Sequence, residues 1–317
     1  MSTVKNQEDA TAPVSPTTAT RPAIILNDSS GTGDKETARQ RLADIFKEAR
    51  LDARISLARS GEEIIELARS AVREGCRPVV AGGGDGTINA VASVIIGTDN
   101  TLGVLPLGTL NHFAKDLHIP LDLDAAARVI LDGHEARVDV GEVEGRIFLN
   151  NSSLGLYPSI VRHREKQQER LGRGKWPAFF WATLTMLKRY PFLNVRLSTD
   201  DQRLVRSTPF VFVGNNEYEM ESFDIGARSC LDAGHLSLYV AHRTGRLGLL
   251  RLAWRALFGG LRDAEDFDAL CTTEVFIQTR RPKRLRVATD GEVTIMTTPL
   301  HYRVRPGALR VIVPEEK

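Results

Sequence analysis

At 317 residues the chain exceeds the size that one hydrophobic core usually serves, so two domains are expected. Apolar residues make up 42% and charged residues 26%, a mixture that excludes disordered, collagenous and membrane-embedded classes. Lys and Arg total 42 against 40 Asp and Glu, so the net charge of +2 gives no whole-molecule attraction to nucleic acid; an anionic partner has to be met by a local patch.

Residues 1–21 are rich in Thr, Ala, Pro and Ser and hold almost no large apolar side chain. They cannot bury enough surface to offset ordering entropy, so a disordered tail is predicted, and the lack of an apolar h-region excludes a secretory signal. The apolar run Ala23–Leu26 reads as a buried strand ending at Asn27. After the loop NDSSGTGD a helix is predicted from about Lys35, with Leu42, Ile45, Phe46 and Ala49 on one face. Arg54–Ala58, Pro78–Ala81 and Thr101–Leu105 continue as strands, Glu62–Glu74 and Thr87–Ile96 as helices, with helical pieces through Leu131. Strands alternating with helices predict parallel βαβ units and an α/β domain over 22–142.

From Val143 the rhythm changes. Arg146–Leu149, Asn194–Ser198, Thr208–Val213, His235–Val240, Glu274–Gln278 and Leu285–Ala288 read as strands among Gly, Asn, Asp and Pro turns. They predict a mostly antiparallel second domain over 143–300, interrupted by helical stretches near 165–190 and 245–262. The closing residues 301–317 contain HYRVRPGALRVIV, which reads as a hairpin whose last strand is free to return to the first domain. Cys76, Cys230 and Cys271 form no CxxC and imply neither a disulfide framework nor a zinc site. The longest nearly apolar run, Trp176 to Leu187, is too short to span a bilayer. A soluble protein of the cytoplasm is expected.

The strongest chemical signal is Ala81-Gly82-Gly83-Gly84-Asp85-Gly86-Thr87-Ile88-Asn89, between a buried strand and a helix. Glycines let backbone N–H groups approach a ligand, and the helix that follows directs its positive end at the same spot, which suits phosphate. Asp85 is unusual there. A carboxylate beside phosphate is unfavourable unless Mg²⁺ lies between them or the carboxylate handles a proton. The stretch is neither a Walker A loop nor a dinucleotide fingerprint. A second loop, Pro106-Leu107-Gly108-Thr109-Leu110-Asn111-His112-Phe113-Ala114, follows the next parallel strand and should face the first. Thr109 and Asn111 can serve a ligand there or simply cap a helix, and both readings stand.

Together the loops resemble the diacylglycerol kinase catalytic-domain family, which includes bacterial lipid kinases, sphingosine kinases and ceramide kinase and shares its nucleotide loop with NAD kinases. Asn27-Asp28-Ser29-Ser30-Gly31 is similar to the family's Asn-Pro-x-Ser-Gly, with Asp28 in place of proline. Gly83–Thr87 matches Gly-Gly-Asp-Gly-Thr, and Pro106–Ala114 resembles the family's second loop with His112 where Asp is usual. Val138-Asp139-Val140-Gly141, FLNNSSLG at 148–155, Gly214-Asn215 and Asp290-Gly291-Glu292 resemble later family motifs in the same order. The resemblance implies an NAD kinase/diacylglycerol kinase-like α/β nucleotide-binding domain followed by an antiparallel β-sandwich, with ATP and Mg²⁺ in the cleft. By it Asn27, Ser30, Gly31, Gly83, Gly84, Gly86, Thr87, Asn89, Gly108, Thr109 and Asn111 would line the nucleotide. Asp85 would act at the phosphates, as metal ligand or in proton handling, and Glu292 would be the general base that takes the proton of a lipid hydroxyl.

The chain departs from the family's pattern at two places, His112 and Ala233. Asp116, one helical turn beyond His112, is expected to supply a carboxylate to the same face. The family holds a second-domain Mg²⁺ with an Asp directly before Gly; here Ala233 stands there and Asp232, one residue early, is the candidate ligand. Leu247, Leu250, Trp254, Leu257 and Leu261 repeat at helical spacing among Arg246, Arg251, Arg255 and Arg262, as an interfacial helix requires, and WPAFFWATLTMLKRY is a second apolar segment. Covering the sandwich is the blander use of both. The patch 280–286 carries five cations in seven residues and suits a membrane surface or a solvated turn better than nucleic acid. The expected protein is thus an ATP-dependent lipid kinase of phospholipid metabolism, touching an anionic membrane peripherally, with homodimerisation open. An NAD kinase-like enzyme with a soluble substrate and a catalytically silent nucleotide-binding regulator are the alternatives.

Overall fold

The structure, a computed structural model, describes residues 21–29, 35–155, 192–199, 202–217, 228, 230–241 and 267–315. The tail up to residue 20, Ser30, Gly31 and the two helical stretches expected near 165–190 and 245–262 lie outside the described residues.

The N-terminal half alternates strands β1 (Ala23–Asn27), β2 (Arg54–Ala58), β3 (Val79–Gly83) and β4 (Leu102–Pro106) with helices α1 (Lys35–Glu48), α2 (Gly61–Arg73), α3 (Asp85–Ile95), α4 (His112–Asp116) and α5 (Leu123–Asp132). The four strands are parallel in the order β2-β1-β3-β4, with Ile24 opposite both Ile55 and Val80, and Val80 opposite Gly103. The runs AIIL and VVAGG are buried along their length because helices cover both faces of a parallel sheet. Leu42, Ile45 and Phe46 of α1, Ile64 and Ala68 of α2 and Ile88, Val91 and Ala92 of α3 complete one core with those strands. Ser60 caps α2 by accepting from the Glu63 amide at 3.2 Å. Parallel pairing brings Asn27, Gly83 and Pro106, the last residues of β1, β3 and β4, to one sheet edge.

The C-terminal half is an antiparallel sandwich. Strands β5 (His134–Val143), β6 (Arg146–Phe148) and β7 (Asn151–Gly155) lead into it. β8 (Leu193–Ser198), β9 (Arg203–Thr208), β10 (Phe210–Asn215), β11 (Leu236–Ala241), β12 (Phe267–Thr272), β13 (Glu274–Thr279), β14 (Arg284–Thr289), β15 (Glu292–Thr297) and β16 (Leu300–Val313) complete it. One sheet has six strands in the order β12-β11-β10-β7-β14-β15. The other has ten and runs β2-β1-β3-β4-β16-β13-β8-β9, with β5 on β16 and β6 on β5. Alternating burial along β8 and β13 marks one inward face. Val195, Leu197, Val275, Ile277, Leu300 and Tyr302 meet Leu154, Val211, Val213, Leu238 and Val287 from the six-stranded sheet in a second core. Among the described residues no helix is long and apolar enough to cross a membrane.

Two strand expectations need correction. The stretch Thr208–Val213 is not one strand: β9 ends at Thr208 in the ten-stranded sheet and β10 starts at Phe210 in the other. Pro209 lies between them, lacking the donor that a continuous ladder would need. The closing segment is not a hairpin but the single strand β16. β5 pairs antiparallel with it from Tyr302↔Val143 to Val313↔His134, and a bulge between Arg305 and Leu309 absorbs the Pro306-Gly307 that mimics a turn. β16 also pairs parallel with β4 through Val311↔Leu102 and antiparallel with β13, so one strand lies in the sheet edges of both halves.

Close packing fixes the β5–β6 crossing. Gly141 lies opposite Phe148, and a Cβ on Gly141 would fall 2.2 Å from the Phe148 ring. Phe148 in turn meets the buried Tyr302 edge-on at 6.2 Å, and the Tyr302 hydroxyl lies 3.0 Å from Ser152 Oγ in the facing sheet. Gly141→Ala is expected to lower the unfolding free energy by about 1–3 kcal/mol through overpacking, and Phe148→Leu to restore part of it. Urea denaturation of the two single variants and the pair measures this; additive losses would mean that the ring does not touch the new methyl group.

Candidate active site

The two glycine-containing loops meet where β3 and β4 end. A Cβ on Gly108 would lie 2.3 Å from Gly84 Cα, so the loops touch backbone to backbone and only glycine fits at that contact. Gly84 precedes α3 in extended conformation and provides no side-chain cap, which leaves first-turn amides of the helix without a side-chain acceptor. Asn27 Nδ2 donates to the buried Thr87 Oγ1 at 2.9 Å and ties the end of β1 to the first turn of α3. Asn27 Oδ1 accepts from the Ser29 amide at 3.0 Å and shapes the loop that follows. Asn27, Gly84, Gly86 and Thr87, with Ile64 and Ala90 behind them, line a cavity of ≈ 260 Å³. Asn89 Oδ1 is buried without a hydrogen-bond partner.

Asp85 links the loops. Its carboxylate accepts from the His112 amide at 3.3 Å and the Phe113 amide at 3.1 Å, so it caps α4 from a different segment of the chain. Asn111, the residue before α4, has φ 51° and no capping bond of its own. Its side chain is spent inside its loop, accepting from the Gly108 amide at 3.0 Å and donating to the Gly108 carbonyl at 2.9 Å. Thr109 is exposed at the loop tip.

Asp116 does not join His112 as a free carboxylate. It forms an ion pair with Arg228 at 2.8 Å, with the guanidinium 0% and the carboxylate 4% exposed. Burial pushes the Asp116 carboxyl above its ordinary value while Arg228 pulls it back. Arg228 also donates to the carbonyls of Leu149 at 2.7 Å and Asn215 at 3.1 Å and to Asn150 Oδ1 at 3.1 Å. The same 149–151 turn is held from its other side by Asp290, whose carboxylate accepts from the amides of Leu149, Asn150 and Asn151 at 2.7, 2.9 and 3.0 Å. Asn215 Nδ2 donates to the Leu149 and Asp139 carbonyls. Asp139 accepts from the Gly234 amide at 2.6 Å and the Gly307 amide at 2.8 Å.

Glu292 opens β15 two residues after Asp290, is 70% exposed, and lies 3.6 Å from Arg146 Nη1. Among the described residues no hydrogen bond or ion pair joins it directly to the glycine loop. A relay does: Asp85 caps α4, α4 ends in Asp116, Arg228 carries the contact to Leu149 and Asn150, and Asp290 grips them next to Glu292. Arg228, Asp139, Asn215 and Asp290 were not singled out as site residues by sequence. Asp139, Asn215 and Asp290 each stand in a motif that resembles the family's, and Asp-Gly-Glu points to Glu292 rather than to Asp290; Arg228 stands in none.

The metal expectations divide. Asp232 is exposed, and among the described residues no three His, Cys, Asp or Glu side chains gather where they could hold an ion. The described donors therefore do not fit a second-domain metal. Asp85 lies in the glycine loop, and Mg²⁺ in phosphotransfer sites is commonly held by one or two carboxylates plus the substrate's phosphates, so a carboxylate here fits such an ion.

Arg228→Met is expected to destabilise the fold by about 3–5 kcal/mol, because it strands the Asp116 carboxylate, and Asp116→Leu added to it should return part of the loss. Chemical denaturation of the two variants is the measurement; equal stability of Arg228→Met and wild type would remove the pair from this role. Burial also pushes the Asp290 carboxyl up to about 6, against the pull of its three amides and of Arg228. The folded chain then holds a proton that the unfolded chain has released. This contribution to stability is full below the unfolded value of 3.8 and is lost as pH rises through about 6. The stability difference between wild type and Asp290→Asn should shift across that window, and a difference flat in pH would count against a titrating Asp290.

Comparison with known proteins agrees with this anatomy. Residues 21–143 match the diacylglycerol kinase catalytic domain, and residues 159–313 match the YegS C-terminal NAD kinase beta sandwich-like domain. A diacylglycerol kinase of Staphylococcus saprophyticus is 28% identical over 230 residues, covering 70% of this chain and 73% of that protein. One from Staphylococcus aureus is 28% identical over 239 residues, covering 71% of each. The crystal structure of a diacylglycerol kinase from Bacillus anthracis superposes with a TM-score of 0.68 at 21% identity, over 92% of this chain and 96% of that one. A second solved chain from the same organism gives a TM-score of 0.73 at 23% identity, over 92% and 97%. At that identity the structures speak for the fold alone. The two family matches take in both halves of the molecule in order, and the chain belongs to the diacylglycerol kinase catalytic-domain family.

Proposed function

We propose that this protein is an ATP-dependent lipid kinase that transfers the γ-phosphoryl group of ATP to a lipid hydroxyl. The observation that carries the reading is the cavity between Asn27, Gly84, Gly86 and Thr87, at the N-terminus of a helix that no side chain caps. Backbone amides there suit phosphate oxygens, and the glycines leave room for them. The names of the Staphylococcus relatives support a lipid alcohol as acceptor.

Phosphoryl transfer asks the protein mainly for positioning and charge stabilisation. Asn27 and Thr87, bonded to each other, keep β1 and α3 in register around the phosphates. Asp85 holds the second loop against the first through the α4 amides. Mg²⁺ arriving with ATP would neutralise phosphate charge, with Asp85 as the protein carboxylate beside it. The attacking hydroxyl must lose its proton, and Glu292, exposed at the start of β15 two residues after the Asp290 that clasps the 149–151 turn, can accept it. Contact with an anionic membrane belongs to the same reading. It is supported by the exposed Arg280, Arg281, Lys283, Arg284 and Arg286, with Ile295, 57% exposed, paired opposite Arg286.

A thin-layer assay with γ-labelled ATP, Mg²⁺ and micellar diacylglycerol, monoacylglycerol, phosphatidylglycerol, sphingosine and ceramide, with NAD alongside, tests this. A labelled lipid is expected. Glu292→Gln should lower kcat by at least ~10² with ATP affinity retained, and Asp85→Ala should abolish turnover. Label on NAD alone would transfer the protein to the soluble-substrate kinases, and wild-type turnover in Glu292→Gln would assign the base to another group.

A further inference from the structure

A second cavity, of ≈ 480 Å³, lies away from the glycine loop, where the segment after α3 meets the bulge of β16. α3 begins at the glycine loop and ends at Ile95, so Gly97, Thr98 and Asp99 stand at the opposite edge of the parallel sheet, just before β4. Their partners across the cavity are Arg137 of β5 and Arg305 and Arg310 of β16.

Strand register sets two of the three guanidinium groups side by side. Arg137 and Arg310 are Cα partners in the antiparallel β5–β16 ladder, so their side chains leave the same face side by side. Like charges directly opposite each other destabilise a sheet unless something between them carries the opposite sign. Arg305 precedes the bulge, and its Nη2 lies 3.9 Å from where a Cβ of Gly97 would be. The carboxylates nearby do not balance this charge. Asp99 accepts from Arg310 at 3.1 Å with its side chain 92% exposed. Glu142 lies 3.5 Å from Arg305 but is bound more closely by Arg303 at 2.7 Å. Glu135 is held by Arg77 and by Thr101. Arg137 has no carboxylate partner among the described residues; one N–H donates to the Gly307 carbonyl at 3.3 Å. A guanidinium has five donors, so on this exposed side chain, which lines the cavity, most of them are left for solvent or a ligand.

We infer that this cavity is a binding site for a phosphate-class anion, separate from the nucleotide loop and independent of the kinase reading. Guanidinium forks match the oxygens of phosphate in pairs, and a concave wall with three of them and one solvated carboxylate selects for a dianion over a neutral ligand. The phosphate can belong to a soluble ester or to a lipid headgroup, since the recognised chemistry is the same.

The full-length protein would be titrated with inorganic phosphate in a calorimeter. It would also be co-sedimented with phosphatidylcholine vesicles with and without phosphatidate. The test variant is Arg137→Gln/Arg310→Gln, in which glutamine keeps a donor for the Gly307 carbonyl. The charge-matched control is Arg39→Gln/Arg41→Gln on α1. Arg305→Gln alone serves as the second test variant should the double one fail to fold by circular dichroism. A loss of about tenfold to a hundredfold in phosphate affinity in the test variants, absent from the control, is expected for lost charged hydrogen bonds. If free phosphate binds weakly but phosphatidate-dependent sedimentation falls in the test variants alone, the source is a lipid headgroup. Equal binding of both probes by wild type, test and control variants, or no binding by wild type, would overturn the site.

Discussion

The geometry of the molecule depends on one buried guanidinium. Arg228 is excluded from water, and such a charge is tolerable only with a counter-ion and nearly every donor satisfied. Asp116 supplies the charge, and the carbonyls of Leu149 and Asn215 with Asn150 Oδ1 supply acceptors. These partners come from the last residue of α4, from the turn before β7 and from the end of β10, so satisfying the arginine fixes three distant segments at once. Buried ion pairs are weak contributors to net stability, and the pair matters more as a register device. It sets how the second loop, positioned by Asp85, stands relative to the turn that carries Asp290 and Glu292.

The second constraint is shared backbone. β16 pairs with β4 at one end and β13 at the other while β5 follows it along both, so the α/β half and the sandwich are not beads on a linker. Asp139 reinforces the seam by accepting from Gly307 on one side and Gly234 on the other. The proposed catalysis at this junction needs groups from two domains held to within a fraction of an ångström, and a common strand supplies that stiffness.

Much of the α/β half was legible in the amino-acid sequence, because strands buried on both faces are continuous apolar runs and helices between them carry a 3.6-residue period. The glycine loop announced itself by composition. What escaped is what depends on partners far along the chain. Arg228 has no periodicity around it, and only the fold reveals Asp116 beside it. Asn111 could be read as a ligand or a cap; the structure turns its amide back on Gly108, which a sequence cannot distinguish. Pro306-Gly307 has the chemistry of a turn, yet β5 continues opposite it and the pair becomes a bulge. β7, with sequence NSSLG, and β15, half polar because it is a sheet edge, lack the apolar alternation that identifies strands.

The placement of β16 has a consequence for how the protein comes to be folded during synthesis. It follows every other described strand in chain order, and each half of the molecule uses it to complete a sheet. Domains on a ribosome usually fold one after another as they emerge. Among the described strands β4 has no neighbour on one side, and β5 no partner along its length except the short β6, until β16 has left the exit tunnel. An emerging chain therefore carries two open β edges until that point, the kind of edge that other chains can pair with. Emergence of β16 closes both together, so both halves commit to their native form in a single event.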